Sequence, residues 1–459
     1  MIDTPEVMAR PPAVGALPPL VLPPVERLTL ANRVPAVTVH REVAPIVSLT
    51  LMFRSGSALD PRDRAGLASI TAEMLDEGAG ARDALAIADE LEQLGADLWV
   101  GSGRDGSQLS LQAPRASFEA ALAIAADVLL RPRLAEADWH RVVGDRRTAL
   151  GQRRDQPEAV VNVVSDRLLF GDAHPYGLPS EGLERTLDRI TLEDARAFHA
   201  AHYRPNDATL VVAGDFDRAR LAGALEDAFG AWTAGPTPAE PVRPPLPERP
   251  RLVIVDRPGA PQSVVRLVAP GFDRLAPERP GLSMLNAILG GSFTSRLNFN
   301  LREQNGFTYG AASSFAFLRY PGSFAARAAV FAESTGPAVR EMLAELAGMH
   351  ERPVTVEEHA KARATQLMRV AEGLATSNGI AGTFGEIGLY GLELDEPARF
   401  VAAIERTTRD DLQALAARTI DPNRATIVIV GDRAAIEPGL RALGLPAAVL
   451  ADPDGNLLP

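Results

Sequence analysis

Four groups of residues in this sequence have the types and spacing to do chemistry. Arg302 and Tyr309 stand seven apart in Leu301-Arg302-Glu303-Gln304-Asn305-Gly306-Phe307-Thr308-Tyr309. A guanidinium and a phenol hydroxyl are suitable donors to a carbonyl oxygen, and their value rises as that oxygen becomes an oxyanion. Taken alone, the pair is better accounted for by an Arg paired with a surface acid and a Tyr packed in a core. Gly101-x-Gly103-x-x-Gly106 satisfies the dinucleotide fingerprint, which requires a helix after the glycines to hold a pyrophosphate. Ser107-Gln108-Leu109-Ser110-Leu111-Gln112 alternates like a strand instead, so the glycines predict a turn between strands. His199 and His202 have a helical spacing that could serve a metal, but they precede Tyr203-Arg204-Pro205, where a helix must end. Histidines there satisfy free carbonyls and complement the helix dipole. His174-Pro175-Tyr176 reads as a rigid turn. Without cysteine, disulfides, thiol nucleophiles and Cys-based zinc sites are excluded. There is no Gly-x-Ser-x-Gly elbow and no phosphate loop.

The elements that must position these residues are organised as a repeat. Pro205-Asn206-Asp207-Ala208-Thr209-Leu210-Val211-Val212-Ala213-Gly214-Asp215 recurs as Pro422-Asn423-Arg424-Ala425-Thr426-Ile427-Val428-Ile429-Val430-Gly431-Asp432, at an offset of 217 that also maps Thr191 onto Thr408 and Asp194 onto Asp411. Each copy reads as a Thr-capped amphipathic helix, a Pro-Asn turn, a buried β-branched strand and Gly-Asp. Runs such as Ile46–Phe53, Gln108–Ala113, Arg251–Asp256 and Ser263–Val268 predict strands, and Ala65–Glu77, Ala84–Leu94, Ser117–Leu130 and Leu282–Leu289 predict helices. The expectation is an α+β fold: two homologous α/β-sandwich domains, each a largely antiparallel sheet with helices on one face. The chain divides into a Pro-rich extension (1–27), a first domain (28–232), a Pro-rich linker (233–250), a second domain (251–440) and a C-terminal tail (441–459). The linker, with seven prolines, reads as a stiff spacer, the alternative being a hinge on which the halves close.

A net charge of −12 argues against nucleic acid as a partner. No window approaches about 18 uninterrupted apolar residues, so no membrane span is expected. The N-terminus lacks a basic start followed by an apolar run, which reads as no signal peptide and a soluble, cytoplasmic protein; a removed signal would leave a periplasmic one.

Two segments carry a resemblance to a known family. Gly66-Leu67-Ala68-Ser69-Ile70-Thr71-Ala72-Glu73-Met74-Leu75 resembles the Gly-Leu-Ala-His-x-x-Glu-His-Met-Leu helix of the pitrilysin/insulinase metallopeptidases, the inverzincins. Leu289-Gly290-Gly291-Ser292-Phe293-Thr294-Ser295-Arg296-Leu297, running on to Tyr309, is similar to their second-half segment. In active members the two motif histidines bind zinc and the intervening Glu is the general base. Ser69, Ala72 and Glu73 hold those positions here. The third ligand, a Glu roughly 75 to 80 residues further on, would fall near Thr148 to Leu150, and no Glu occurs between Glu136 and Glu158. No zinc is therefore expected on this chain. Arg302 and Tyr309 have the spacing of the Arg and Tyr that complete the family's active site.

The resemblance implies a non-catalytic subunit like those of two-chain bacterial processing peptidases. Zn2+ and base would sit on a His-x-x-Glu-His-containing paralogue, in a heterodimer or a dimer of heterodimers. This chain would contribute Arg302 and Tyr309 to a peptide substrate bound by strand addition. The alternatives are a non-enzymatic scaffold, like the core subunits of respiratory complexes, and a homodimeric peptide-binding module.

Overall fold

The computed structural model describes residues 20–236 and 239–459. Most of the segment read as an N-terminal extension, and two residues of the linker, lie outside the described residues. Two six-stranded sheets form the framework. The first is built from β1 (Glu26–Thr29), β2 (Pro35–His40), β3 (Ile46–Phe53), β6 (Asp97–Ser102), β7 (Ser107–Pro114) and β8 (Ala208–Gly214), with β4 (Gly78–Ala79) and β5 (Arg82–Asp83) making a small separate hairpin. The second comprises β9 (Leu252–Asp256), β10 (Gln262–Pro270), β11 (Ala311–Phe315), β12 (Ser323–Phe331), β13 (Thr426–Gly431) and β14 (Val449–Leu450). In the orders β1-β2-β8-β3-β7-β6 and β14-β9-β13-β10-β12-β11, the five strands β2-β8-β3-β7-β6 correspond to β9-β13-β10-β12-β11, and each half adds its own outermost strand beyond β2 or β9. Within them β2 runs parallel to β8 and β9 to β13, while the other pairs are antiparallel except β14 with β9. The two-copy α+β reading of the sequence is therefore the observed fold.

The helices follow the same duplication. Thr191 and Thr408 each cap a helix by accepting from the backbone N–H three residues on, and Asp194 and Asp411 answer with reciprocal bonds. Each half's own helices cover one face of its sheet, burying cores around Leu49, Leu51, Leu109 and Leu122 in the first half and Leu267, Leu285, Ile427 and Ile429 in the second. The opposite face is covered by a helix from the other half. Pro157–Phe170 lays Val160, Val161, Val164 and Leu168 on Val253, Val255, Val264 and Val428 of the second sheet. Reciprocally, Ser377–Tyr390 lays Ile380, Ala381, Phe384 and Ile387 on Val37, Val39, Val211 and Ala213 of the first. Both faces being covered explains why β8 and β13 are runs of β-branched residues rather than alternating strands. Gly388 permits the close approach: a Cβ there would sit 2.3 Å from Thr209.

This exchange locks the halves together and opposes the hinge alternative for the linker. The described part of the linker lies against both: Pro247 packs at Gly171, and Glu240 accepts the Tyr320 hydroxyl while the Arg243 guanidinium lies 4.5 Å over the Tyr320 ring. The stretch read as a C-terminal tail is also integrated. It supplies β14, and Arg167 of the first half donates to the Asp454 carbonyl and to Asn456 Oδ1.

Candidate functional site

The degenerate motif sits on the Leu67–Glu73 helix, whose start is fixed by a buried acid. Gly66 takes φ +103°, and the backbone N–H groups of Gly66 and Ala68 donate to the Asp60 carboxylate at 2.8 and 2.9 Å. Burial pushes the Asp60 pKa up to about 7 despite these bonds, which pull it down. Ser69 and Glu73 lie one turn apart on one face, and Ala72 turns into the core.

Between Ser69 and Glu73 lies Arg146, from the Glu136–Asp155 helix. Its Nη2 donates to Ser69 Oγ at 2.9 Å and to the Glu73 carboxylate, and its Nη1 donates to the Glu181 carbonyl at 3.0 Å. Arg146 is only 6% exposed. The positions where the third ligand would fall are committed elsewhere: Thr148 Oγ1 donates to the Gly144 carbonyl and Leu150 is in the core. The donor set does not fit zinc. Its one carboxylate is bound by a permanent cation, and among the described residues no group of three His, Cys, Asp or Glu could hold a metal. Arg146 was missed from sequence; the available signal was its place on the helix where the third ligand was sought.

Arg302 and Tyr309 flank the approach to β11. The helix running into this segment widens over Phe299–Gln304, leaving Arg302 in its last turn. Buried Asn300 donates to Glu345 at 2.7 Å, and Asn298 accepts from the Ala311 N–H at 3.0 Å while donating to the Phe293 carbonyl. These bonds fix the loop from both ends. The Arg302 guanidinium lies 4.6 Å over the exposed Phe293 ring, with the adjacent Glu303 carboxylate 3.4 Å from its Nε. Tyr309 is 87% exposed. Arg302 lies at a helix end and Tyr309 two residues before β11, and this chain alone does not enclose the two side chains in one cavity, since Tyr309 points into solvent.

Comparison with known proteins gives this arrangement a family. Residues 36–169 match the sequence model of the insulinase family, peptidase family M16, and residues 189–366 match that of the peptidase M16 inactive domain. The chain belongs to peptidase family M16. An uncharacterized zinc protease of Mycobacterium leprae is 25% identical over 88% of this chain and 91% of its own length. The non-peptidase homolog YmxG of Helicobacter pylori is 23% identical over 60% of this chain and 64% of its own. A crystal structure described as a peptidase M16 inactive domain from Pseudomonas fluorescens superimposes with a TM-score of 0.82, at 27% identity, covering 89% of this chain and 98% of that one.

Within the M16 fold the other candidate residues have structural employment. The Gly103–Gly106 turn joins β6 to β7 and presents buried Asp105, whose carboxylate accepts from the Tyr176 and Tyr390 hydroxyls and from the Arg319 N–H. That network ties the halves together, and burial beside Asp105 raises both phenol pKa values. His174 Nδ1 accepts from the Tyr176 N–H, and burial and three nearby arginines hold its pKa down to about 4. His199 Nε2 bonds the Leu129 carbonyl at 2.8 Å, so it satisfies a carbonyl, but one on a neighbouring helix. Burial lowers the pKa of both His199 and His202, favouring neutral rings, which corrects the expectation that they complement a helix dipole as cations. Among the described residues no helix is long and apolar enough to cross a membrane.

Proposed function

We propose that this chain is the zinc-free member of a two-chain M16 metallopeptidase, closing the chamber over a paralogue that carries His-x-x-Glu-His. The observation that carries this reading is Tyr309, a large aromatic held 87% exposed by an ordered loop, eleven residues after a polar anchor at Asn298. A tyrosine serving the core would be buried, and one serving a fold contact would have a partner. Arg302 supports it: its acid neighbour is an exposed adjacent residue, and such surface pairs contribute little. Tyr309 is open to a peptide presented by another chain, and Arg302 is held beside it only by the Phe293 ring and Glu303.

Zinc on the partner would polarise the scissile carbonyl and acidify its bound water. Arg302 and Tyr309 would donate hydrogen bonds to the same carbonyl oxygen or its neighbour. Those bonds strengthen as negative charge develops, so they favour the transition state over bound substrate. Arg146 would stand in this chain for the cation that the degenerate helix no longer binds, keeping the Leu67–Glu73 and Glu136–Asp155 helices in place.

The test is co-purification with the zinc-motif paralogue followed by peptide hydrolysis. Activity is expected only in the mixture and is expected to fall in Arg302→Ala and Tyr309→Phe while the complex stays intact. Full activity in both variants would overturn the catalytic-support role; an inactive mixture would favour the non-enzymatic scaffold.

A further inference from the structure

The seam between the halves carries an unbalanced positive cluster. Arg266 on β10 and Arg327 on β12 are direct cross-strand neighbours in the antiparallel register. Like charges so placed repel. Arg266 donates to Asn162 on the Pro157–Phe170 helix, but its Nε is buried without an acceptor. Among the described residues the Arg327 side chain makes no hydrogen bond or ion pair. Burial lowers the Arg266 pKa; Asp166 opposes this, and Arg327 and Arg104 add to it. Asp166 is itself ion-paired with Arg104 at 2.5 Å.

These groups line a cavity of about 490 Å³ with Arg104, Asn162, Asp166, Arg266, Ser313 and Arg327 on its walls. It adjoins a second compartment of about 320 Å³, sharing Asn162, Ala312 and Arg327, whose walls are mainly small and apolar: Val161, Val264, Gly310 and Ala311, with exposed Glu158 at its side. Three guanidiniums thus face one already paired carboxylate in the first compartment. The apolar compartment begins at the residue after Tyr309.

We propose that this seam cavity is a carboxylate-binding subsite, in which Arg266 and Arg327 clamp the carboxylate of a bound peptide while the adjoining apolar compartment takes the neighbouring residue. An anion between the two guanidiniums replaces their repulsion with charge-assisted, geometrically matched hydrogen bonds and gives the orphaned Arg266 Nε an acceptor. That the carboxylate belongs to a peptide rests on the proposed function; its source is either an acidic side chain or the chain terminus.

The experiment uses the full chain alone, by isothermal titration, with no partner and no turnover. The probes are a neutral peptide with a free C-terminus, its C-terminal amide, the amide carrying one internal Glu, and inorganic phosphate. Saturable binding of a carboxylate-bearing peptide is expected, weakened about tenfold or more by Arg266→Gln or Arg327→Gln. Retention by the free acid but not by the Glu-containing amide assigns the C-terminus, and the converse assigns a side chain. The melting temperature of Arg327→Gln is expected to be unchanged or higher, because a repulsion is relieved, and this exposed position carries the test should Arg266→Gln fold poorly. Equal binding of the plain amide, binding indifferent to both substitutions, or phosphate binding without peptide binding would each overturn the assignment. A failure here leaves the role of Arg302 and Tyr309 standing, and a failure of that role leaves this binding result standing.

Discussion

The two halves of this molecule answer the same structural problem in opposite ways. In the first, the Leu67–Glu73 helix ends beside the outermost strand β6, and its exposed face is neutralised by Arg146 reaching across from the Glu136–Asp155 helix. Among the described residues no backbone hydrogen bond joins the outer edge of β6 to anything beyond it. In the second, the matching helix Arg279–Leu289 runs into Gly290, whose carbonyl accepts from the Ser313 N–H at 3.0 Å, while Asn298 takes the Ala311 N–H. The edge of β11 is therefore closed by its own chain. Duplication fixed the scaffold; a few polar groups at one helix end decide which sheet edge is available for a strand to join and which is sealed. Peptide capture by strand addition is consequently expected on the first half, and the Arg302–Tyr309 pair stands only on the second.

The sharpest way to break this contrast is through the pair of Arg302 and exposed Tyr309. In a complex with a zinc-bearing paralogue, Tyr309→Phe or Arg302→Ala is expected to lower kcat about 100- to 1000-fold, the range for removing one oxyanion donor, with little change in complex formation. Steady-state kinetics beside size-exclusion chromatography checks both parts.

The next contrast is Arg146 against its repeat-mate. Arg146→Ala removes a buried guanidinium from Ser69 and Glu73 and is expected to cost about 2 kcal/mol in urea unfolding, discounted because Glu73 is half-exposed. Arg363, 217 residues on, is exposed and its side chain makes no hydrogen bond or ion pair among the described residues. Arg363→Ala is expected to stay within about 0.5 kcal/mol. Equal losses at both positions would remove the distinction between the halves.

Asp60, the buried acid behind the degenerate helix, should show in the pH dependence. Its folded pKa of about 7 lies above the ordinary 3.8, so the folded state holds the extra proton between those values. Stability from this group is present at low pH and is lost as pH rises through that window, with a slope of at most about 1.4 kcal/mol per pH unit. Asp60→Asn should flatten the slope in melts between pH 4 and about 7. The smallest effect concerns the sealed edge. Asn298→Ala should cost about 1 kcal/mol and speed exchange of the Ala311 amide, read by hydrogen exchange, while β6 is unaffected.

Much of this was legible in the sequence because it is local or repeats. The offset of 217 exposed the duplication, β-branched runs located β3, β8 and β13, and the replacement of both motif histidines at Ser69 and Glu73 announced the loss of zinc. The spacing of Arg302 and Tyr309 was visible too, although the exposure of Tyr309 was not. What only the tertiary structure decided involves partners far apart along the chain. Arg146 meets Glu73 across 73 residues, Tyr390 meets Asp105 across 285, and Arg266 faces Asn162 across 104. Periodicity records which face of an element is buried, not which element covers it. The exchange of the Pro157–Phe170 and Ser377–Tyr390 helices depends on packing between the halves, and the guanidinium in the degenerate site and the opposed arginines of β10 and β12 on packing within one, where burial gives each charge its partner or leaves it without one.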